Sequence, residues 1–213
     1  MISDMMQSFE LYQPTSIKDA VALLEKHGKE GWAMAGGNDS ISWFKDRVKH
    51  PKALVDLAGV PGMKGIREAG GGIEIGALTT LSEIVGNPVV KKKFGLLADA
   101  AGKVASPQIR NSGTLGGNLA QDTRCWYYRD GFPCYRAGGN TCYADTPTAM
   151  NREHALFAAD RCVAVTASDI APVLVVLEAQ MVIQSAKGER TVAAGDFFVG
   201  PAKDILHMTV LKD

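Results

Sequence analysis

All four cysteines of this chain, Cys125, Cys134, Cys142 and Cys162, fall in one stretch directly behind a glycine-rich run, Gly113-Thr-Leu-Gly-Gly-Asn118. Four thiols are the complement that an iron–sulfur cluster or a structural zinc requires, and none is left over. Glycine, lacking a Cβ, serves a loop whose backbone must come close to a phosphate. A chain with both features must fold a long, loop-rich segment beside a nucleotide-type turn. The pairing suggests electron transfer.

With 213 residues the chain is one large domain or two small lobes, able to bury a core without disulfide support. Lysine plus arginine and aspartate plus glutamate balance at 23 each, so no basic excess argues for nucleic acid. The longest apolar run, Ile170 to Leu177, contains Pro172 and is too short to span a bilayer. The N-terminus has no basic region followed by an apolar core, hence no visible secretory signal. A cytoplasmic location is the default expectation, where cysteines are reduced thiols or metal ligands. The even count fits disulfides too.

Ser16 is placed to cap a helix over Ile17 to His27, with Ile17, Ala20, Val21 and Leu24 on one face and Gly28 as its stop. The pattern then predicts a strand over 32–35, a helix over 40–48, a strand over 53–57 and a hairpin turning at Ala69-Gly70-Gly71. Thr80 begins a mostly helical stretch to Lys103. Residues 106–161 read as loop-rich, a length expected only of a segment that binds something. A strand over 162–165, a helix over 169–177, a hairpin turning at Lys187-Gly188 and a last strand over 205–211 complete the reading. Short strands and helices without a regular βαβ rhythm indicate the α+β class.

Ala35-Gly36-Gly37-Asn38-Asp39-Ser40 lies between a predicted strand and a predicted helix, where amides and helix dipole can face an anion. Asn38, Asp39 and Ser40 are equally ordinary capping residues. Neither a Gly-x-Gly-x-x-Gly opening a helix nor a Gly-Lys-Ser/Thr P-loop is present. Two separate glycine loops suit a dinucleotide lying in a crevice between lobes.

Three ordered motifs carry a more specific likeness: Ala35 to Asp39, Gln108-Ile-Arg-Asn-Ser-Gly-Thr-Leu-Gly-Gly-Asn-Leu-Ala120, and Ser168-Asp-Ile-Ala-Pro172. Together they resemble the FAD-binding, or medium, subunits of the xanthine dehydrogenase family of molybdenum hydroxylases. The resemblance implies a two-lobed FAD-binding fold of the vanillyl-alcohol-oxidase/CO-dehydrogenase flavoprotein type. One lobe would span 1–60 and the second 61–213, with a cysteine-rich insertion at about 121–162. It implies that Ala35, Gly36, Gly37, Asn38, Asp39 and Ser40, with Thr114, Leu115, Gly116, Gly117 and Asn118, hold the FAD diphosphate. Asp122 and Asp169 match positions toward the adenosine end, although Asp169 reads just as well as the N-cap of the following helix. Relatives continue into a C-terminal lobe that is expected to be absent here or supplied by a separate chain.

The cysteine spacing, C-x8-C-x7-C-x19-C, lacks the C-x-x-C knuckles of zinc ribbons and common ferredoxins. Spacing alone leaves cluster, zinc and unliganded buried thiols open. The stretch is similar to an insertion in a subset of the family, the 4-hydroxybenzoyl-CoA reductase and aldehyde oxidoreductase types. That likeness implies a [4Fe–4S] cluster on Cys125, Cys134, Cys142 and Cys162. Arg124, Arg129, Arg136, Arg152 and Arg161 are available to offset its charge, or are simply solvated. Trp126, Tyr127, Tyr128 and Tyr135 are expected to shield it or to form a docking face.

The function implied by the resemblance is an electron-transfer subunit of a molybdenum or tungsten oxidoreductase. Its expected partners are a molybdopterin-containing large subunit and a [2Fe–2S] small subunit, with NAD(P) or ferredoxin outside the complex. No side chain stands out as an acid–base catalyst, which places substrate chemistry in a partner. The alternative is a structural or assembly subunit holding zinc or a cluster without FAD.

Overall fold

The computed structural model describes residues 6–211. It opens with β1 (Glu10–Tyr12), α1 (Ile17–His27), β2 (Gly31–Met34), α2 (Asn38–Lys45) and β3 (Ala53–Asp56). The three strands form a parallel sheet in the order β1-β3-β2. Helix α1 has the predicted limits: the Ser16 hydroxyl accepts from the Asp19 amide, and Gly28 ends the helix at φ +50°. Its Ala20 is buried beside Val55 and Val60, with Ile17, Leu23 and Leu24 packed around them.

The hairpin β4 (Ile66–Ala69) and β5 (Gly72–Ile75) follows, turning at the two glycines that both adopt positive φ. Next come α3 (Leu81–Gly86), α4 (Pro88–Lys93), α5 (Gly95–Lys103), α6 (Pro107–Ser112), α7 (Leu115–Ala120) and α8 (Trp126–Arg129). Thr80 and Glu83 make a reciprocal capping box at the start of α3, with the Thr80 amide donating to the Glu83 carboxylate at 2.8 Å. The chain ends with α9 (Ala171–Val176), the hairpin β6 (Gln180–Ser185) and β7 (Gly188–Ala193), and α10 (Ala194–Phe197). One apolar core unites this second part: Leu81, Ile84, Val90, Leu97, Leu115, Ile170 and Phe197 are all buried in it.

The α+β class holds, but several boundaries differ from expectation. Residues 107–120, expected as loop, form α6 and α7. Ser106 and Thr114 cap them, and the apolar Leu115 and Leu119 are spaced to reach the core. Two expected strands, 162–165 and 205–211, are not strands, because neither pairs along enough residues to build a ladder. The second makes only a single bridge, Phe198 with Thr209. The short strand β1 is recruited by pairing with β3, three residues being too few to leave a pattern. Asp169 does not cap α9: it is exposed, and the Ser168 hydroxyl accepts from the Ala171 amide at 3.1 Å instead.

The cysteine-bearing segment does not stand away from the rest. Cys125, Cys134, Cys162 and Tyr128 share a core with Trp43 and Phe44 of α2 and Leu54 of β3. The insertion is thereby packed against the first parallel sheet.

Candidate functional site

The two glycine loops meet. At Gly36, a Cβ would lie 1.9 Å from the Ser112 carbonyl oxygen, so only glycine permits this approach. Gly37 at φ +76° then turns the chain into α2, whose first turn has no side-chain cap. Asn38 fastens the contact, its side-chain amide donating to Ser112 Oγ at 3.1 Å and to the Ile109 carbonyl at 3.3 Å. On the far loop Thr114 accepts from the Gly117 amide at 3.1 Å, and Asn118 accepts from Ser168 Oγ at 2.6 Å.

Along this junction runs a crevice of about 1160 Å³. Ala35, Gly36, Gly37, Asn38, Asp39, Ser40, Thr114, Gly116, Gly117, Asn118, Asp122 and Asp169 all line it. Leu115 does not: its side chain is buried in the core, because it faces inward from the first turn of α7. The three ordered motifs therefore converge, and the volume is that of a cleft for a large ligand. Residues with no motif of their own complete the walls, notably Lys49, Arg136, Thr166 and Met208. The stretch 206–211, though not a strand, returns the chain end to this crevice. Only the return of a distant segment places these residues, so no local pattern announces them.

Two carboxylates at the crevice hold the insertion. Asp39 receives Arg129 at 2.6 Å, Arg124 at 3.3 Å and the Trp43 indole N–H at 3.0 Å. The Arg129 guanidinium also lies 4.0 Å over the Trp43 ring. Asp122 pairs with Arg136 and sits 3.6 Å from the Lys49 ammonium. Their carboxylates thus bind arginines of the insertion. Of the five arginines there, Arg136 is buried and Arg129 nearly so, while Arg124, Arg152 and Arg161 are exposed.

Beyond Asp122 the four cysteines line one small pocket with Tyr127, Tyr128, Tyr135, Arg136, Tyr143 and Ala164. Gly139 makes the fold-back possible. A Cβ there would strike the Pro133 carbonyl oxygen at 1.9 Å, and the Tyr135 amide reaches Thr141 beyond the turn at 3.0 Å. That turn delivers Cys142 to the side of Cys134. Burial raises the thiol pKa values of Cys125 and Cys162. The backbone amides of Tyr128 and Tyr127 oppose this at Cys125, that of Ala164 at Cys162, and neighbouring cysteines add to the rise. The Arg136 charge draws the Cys162 value the other way.

Among the described residues no group of three or more His, Cys, Asp or Glu side chains is arranged to hold a metal ion. Trp126, expected to shield the cysteines or to form a docking face, does not shield them: it points outward at 60% exposure, because it opens the one-turn α8 on its solvent side. Tyr143 takes its place, stacked 6.1 Å from Tyr127. His154 does not line the pocket, and both its ring nitrogens are buried without a partner. No described helix is long and apolar enough to cross a membrane.

The family model for the FAD binding domain in molybdopterin dehydrogenase matches residues 7–212. The chain is 32% identical over 205 residues to the carbon monoxide dehydrogenase medium chain of Hydrogenophaga pseudoflava, covering 96% of this chain and 55% of that one. It is 32% identical over 175 residues to the aldehyde oxidoreductase FAD-binding subunit of Escherichia coli, covering 80% and 54%. A solved carbon monoxide dehydrogenase from Hydrogenophaga pseudoflava superposes with a TM-score of 0.71 at 29% identity, covering 97% of this chain and 56% of the other. The chain spans about half the length of these curated relatives.

Proposed function

Because the chain belongs to the family of FAD-binding domains in molybdopterin dehydrogenases, we propose that it relays electrons as the flavin-binding part of a molybdenum hydroxylase-type oxidoreductase. The convergence of all three motifs on one crevice carries this reading. Gly36 lets the two loops meet at the crevice, and the uncapped first turn of α2 that Gly37 opens supplies amides and dipole for a diphosphate's charge. Asp122 and Asp169 line the same crevice, and Asp169, exposed and released from capping, is available to a ribose or adenine. Asn38, Asp39 and Asn118 act indirectly, since their side chains are engaged in holding the loops. The two lobes are then 1–60 and 61–213, with the crevice between them. FAD, when bound, supplies hydride or single-electron chemistry.

For the second cofactor the donor set is four cysteines around an aromatic-lined pocket, the soft anionic ligands of a [4Fe–4S] cluster. The chain has none of the C-x-x-C knuckles of a zinc ribbon. The space between the thiols is about 10 Å³, that of a single water. A cluster therefore requires the loop bearing Cys142, the least buried of the four, to move outward. Of the two types with such an insertion, the aldehyde oxidoreductase type is the one proposed. A molybdopterin large subunit, a [2Fe–2S] small subunit and NAD(P) or ferredoxin as external partner complete the proposal, with a cytoplasmic location. The structural or assembly alternative does not account for so large a crevice.

The test is the visible spectrum of the purified protein with flavin, iron, sulfide and zinc quantitation. Flavin bands over a broad iron–sulfur shoulder are expected. A colourless protein with stoichiometric zinc overturns both cofactors, and flavin without iron overturns the cluster alone.

A further inference from the structure

Asp39 stands in the first turn of α2 and lines the crevice, so its charge opposes the diphosphate that the uncapped turn is suited to hold. The insertion meets that carboxylate with two arginines of different character. Arg129, only 15% exposed, reaches Asp39 at 2.6 Å, donates through Nε to the Thr123 carbonyl at 2.9 Å and lies over the Trp43 ring. A short, mostly buried pair of this kind cancels the carboxylate's charge. Arg124 is half exposed, and one terminal nitrogen, Nη2, is shared between Asp39 and Gln121 at 3.3 Å each. Its other guanidinium N–H groups have no partner among the described residues. Asp39 belongs to the first glycine loop and Gln121 directly follows the second, so Arg124 reaches from one loop to the other. It lines the crevice, as do Lys49 and Arg136, but those two are paired with Asp122. With Asp39 already matched by Arg129, Arg124 is a surplus positive charge beside both loops.

We propose that Arg124 binds the diphosphate of the flavin dinucleotide, which makes the cysteine-bearing insertion part of the flavin site; this rests on the flavin reading above. A guanidinium offers its N–H groups as a planar fork that matches phosphate oxygens. The idle donors of Arg124 serve that purpose without disturbing the Asp39–Arg129 pair. Two long contacts made by a single nitrogen of an exposed side chain exchange readily for a stronger acceptor, whereas the short Arg129 contact does not. Arg124 lies outside both glycine motifs and directly precedes Cys125. The insertion therefore reaches the crevice through its first residues, and the glycine loops hold the ligand's charge together with a side chain that neither of them contains.

The experiment is an equilibrium titration of the full chain, purified and freed of bound flavin, with FAD and with riboflavin, which carries no phosphate. Arg124→Gln is expected to weaken FAD binding about tenfold and to leave riboflavin binding unchanged. Arg124→Lys keeps the charge but not the fork, and loses about threefold. Rising salt should weaken FAD binding less steeply in Arg124→Gln than in the wild type, because one screened contact is gone. An unchanged FAD affinity, or equal losses for FAD and riboflavin, overturns the proposal. Should riboflavin bind too weakly to titrate, the salt dependence decides, and equal slopes overturn it. The exposed position keeps the melting temperature of Arg124→Gln at the wild-type value; a large fall would assign the residue to holding the fold and likewise overturn the proposal. A wild-type chain that binds no FAD defeats the flavin reading itself, whereas FAD binding indifferent to Arg124 defeats only the role of this arginine.

Discussion

Along the flavin-sized crevice, the decisive contacts are made by backbone: Gly36 against Ser112, Gly116 against Ala77, and the amides at the start of α2. In the cysteine pocket a few steps away, side chains do the same work: four thiols, four tyrosines and one buried arginine. A backbone site is open, tolerant of which polar side chains surround it, and lost when a Cβ intrudes. A side-chain site is tight and charged, and lost when a single donor is removed. The two are joined by two carboxylates, Asp39 and Asp122, each bound to an arginine of the insertion. The difference teaches that crevice and pocket can be damaged one without the other, unless the joint itself is cut.

The largest effect is expected from Cys162→Ala, which breaks the pocket alone. On the proposed cluster reading, iron is lost outright while flavin content stays near that of the wild type; equal loss of both would show that the sites are not separable. Gly36→Val strikes the crevice alone. An overpacking penalty of about 3 kcal/mol corresponds to roughly 100-fold weaker flavin retention, measured by flavin titration with iron content as the control. Asp39→Asn cuts the joint, leaving the nearly buried Arg129 without its carboxylate. A loss of about 1–2 kcal/mol in unfolding free energy is expected from a partly exposed pair of this kind, read by denaturant titration.

The smallest effect concerns pH and the capping box of α3. Burial tends to raise the Glu83 pKa, but the Thr80 amide and hydroxyl and the Lys64 ammonium outweigh it and hold the value below 4.5. A carboxyl depressed in the folded state stabilises above its unfolded value and loses that contribution as pH falls through the folded value. Melting temperature should therefore drop on acidification below 4.5 more steeply in the wild type than in Glu83→Gln.

Much of this organisation was legible before folding. The helix over 17–27 carries its own cap, apolar face and glycine stop, so its limits were readable to the residue. The hairpins announce themselves through glycine turns. The helices over 107–120 were missed because glycine and asparagine there depress local propensity, and burial of Leu115 and Leu119 overrides it. Arg136 could not be told from four other arginines nearby, since burial is a property of the packed molecule.

The spacing and number of the cysteines, and the glycine loops beside them, were set by sequence alone: a missing Cβ and a thiol are local facts that hold in any conformation. That those thiols line one pocket was decided only by tertiary structure, through the Gly139 fold-back and the packing of the insertion on Trp43 and Phe44. So was the placing of Arg136 between pocket and crevice. Charges and cavities arise from segments far apart in the chain, and only packing brings those segments within reach of one another.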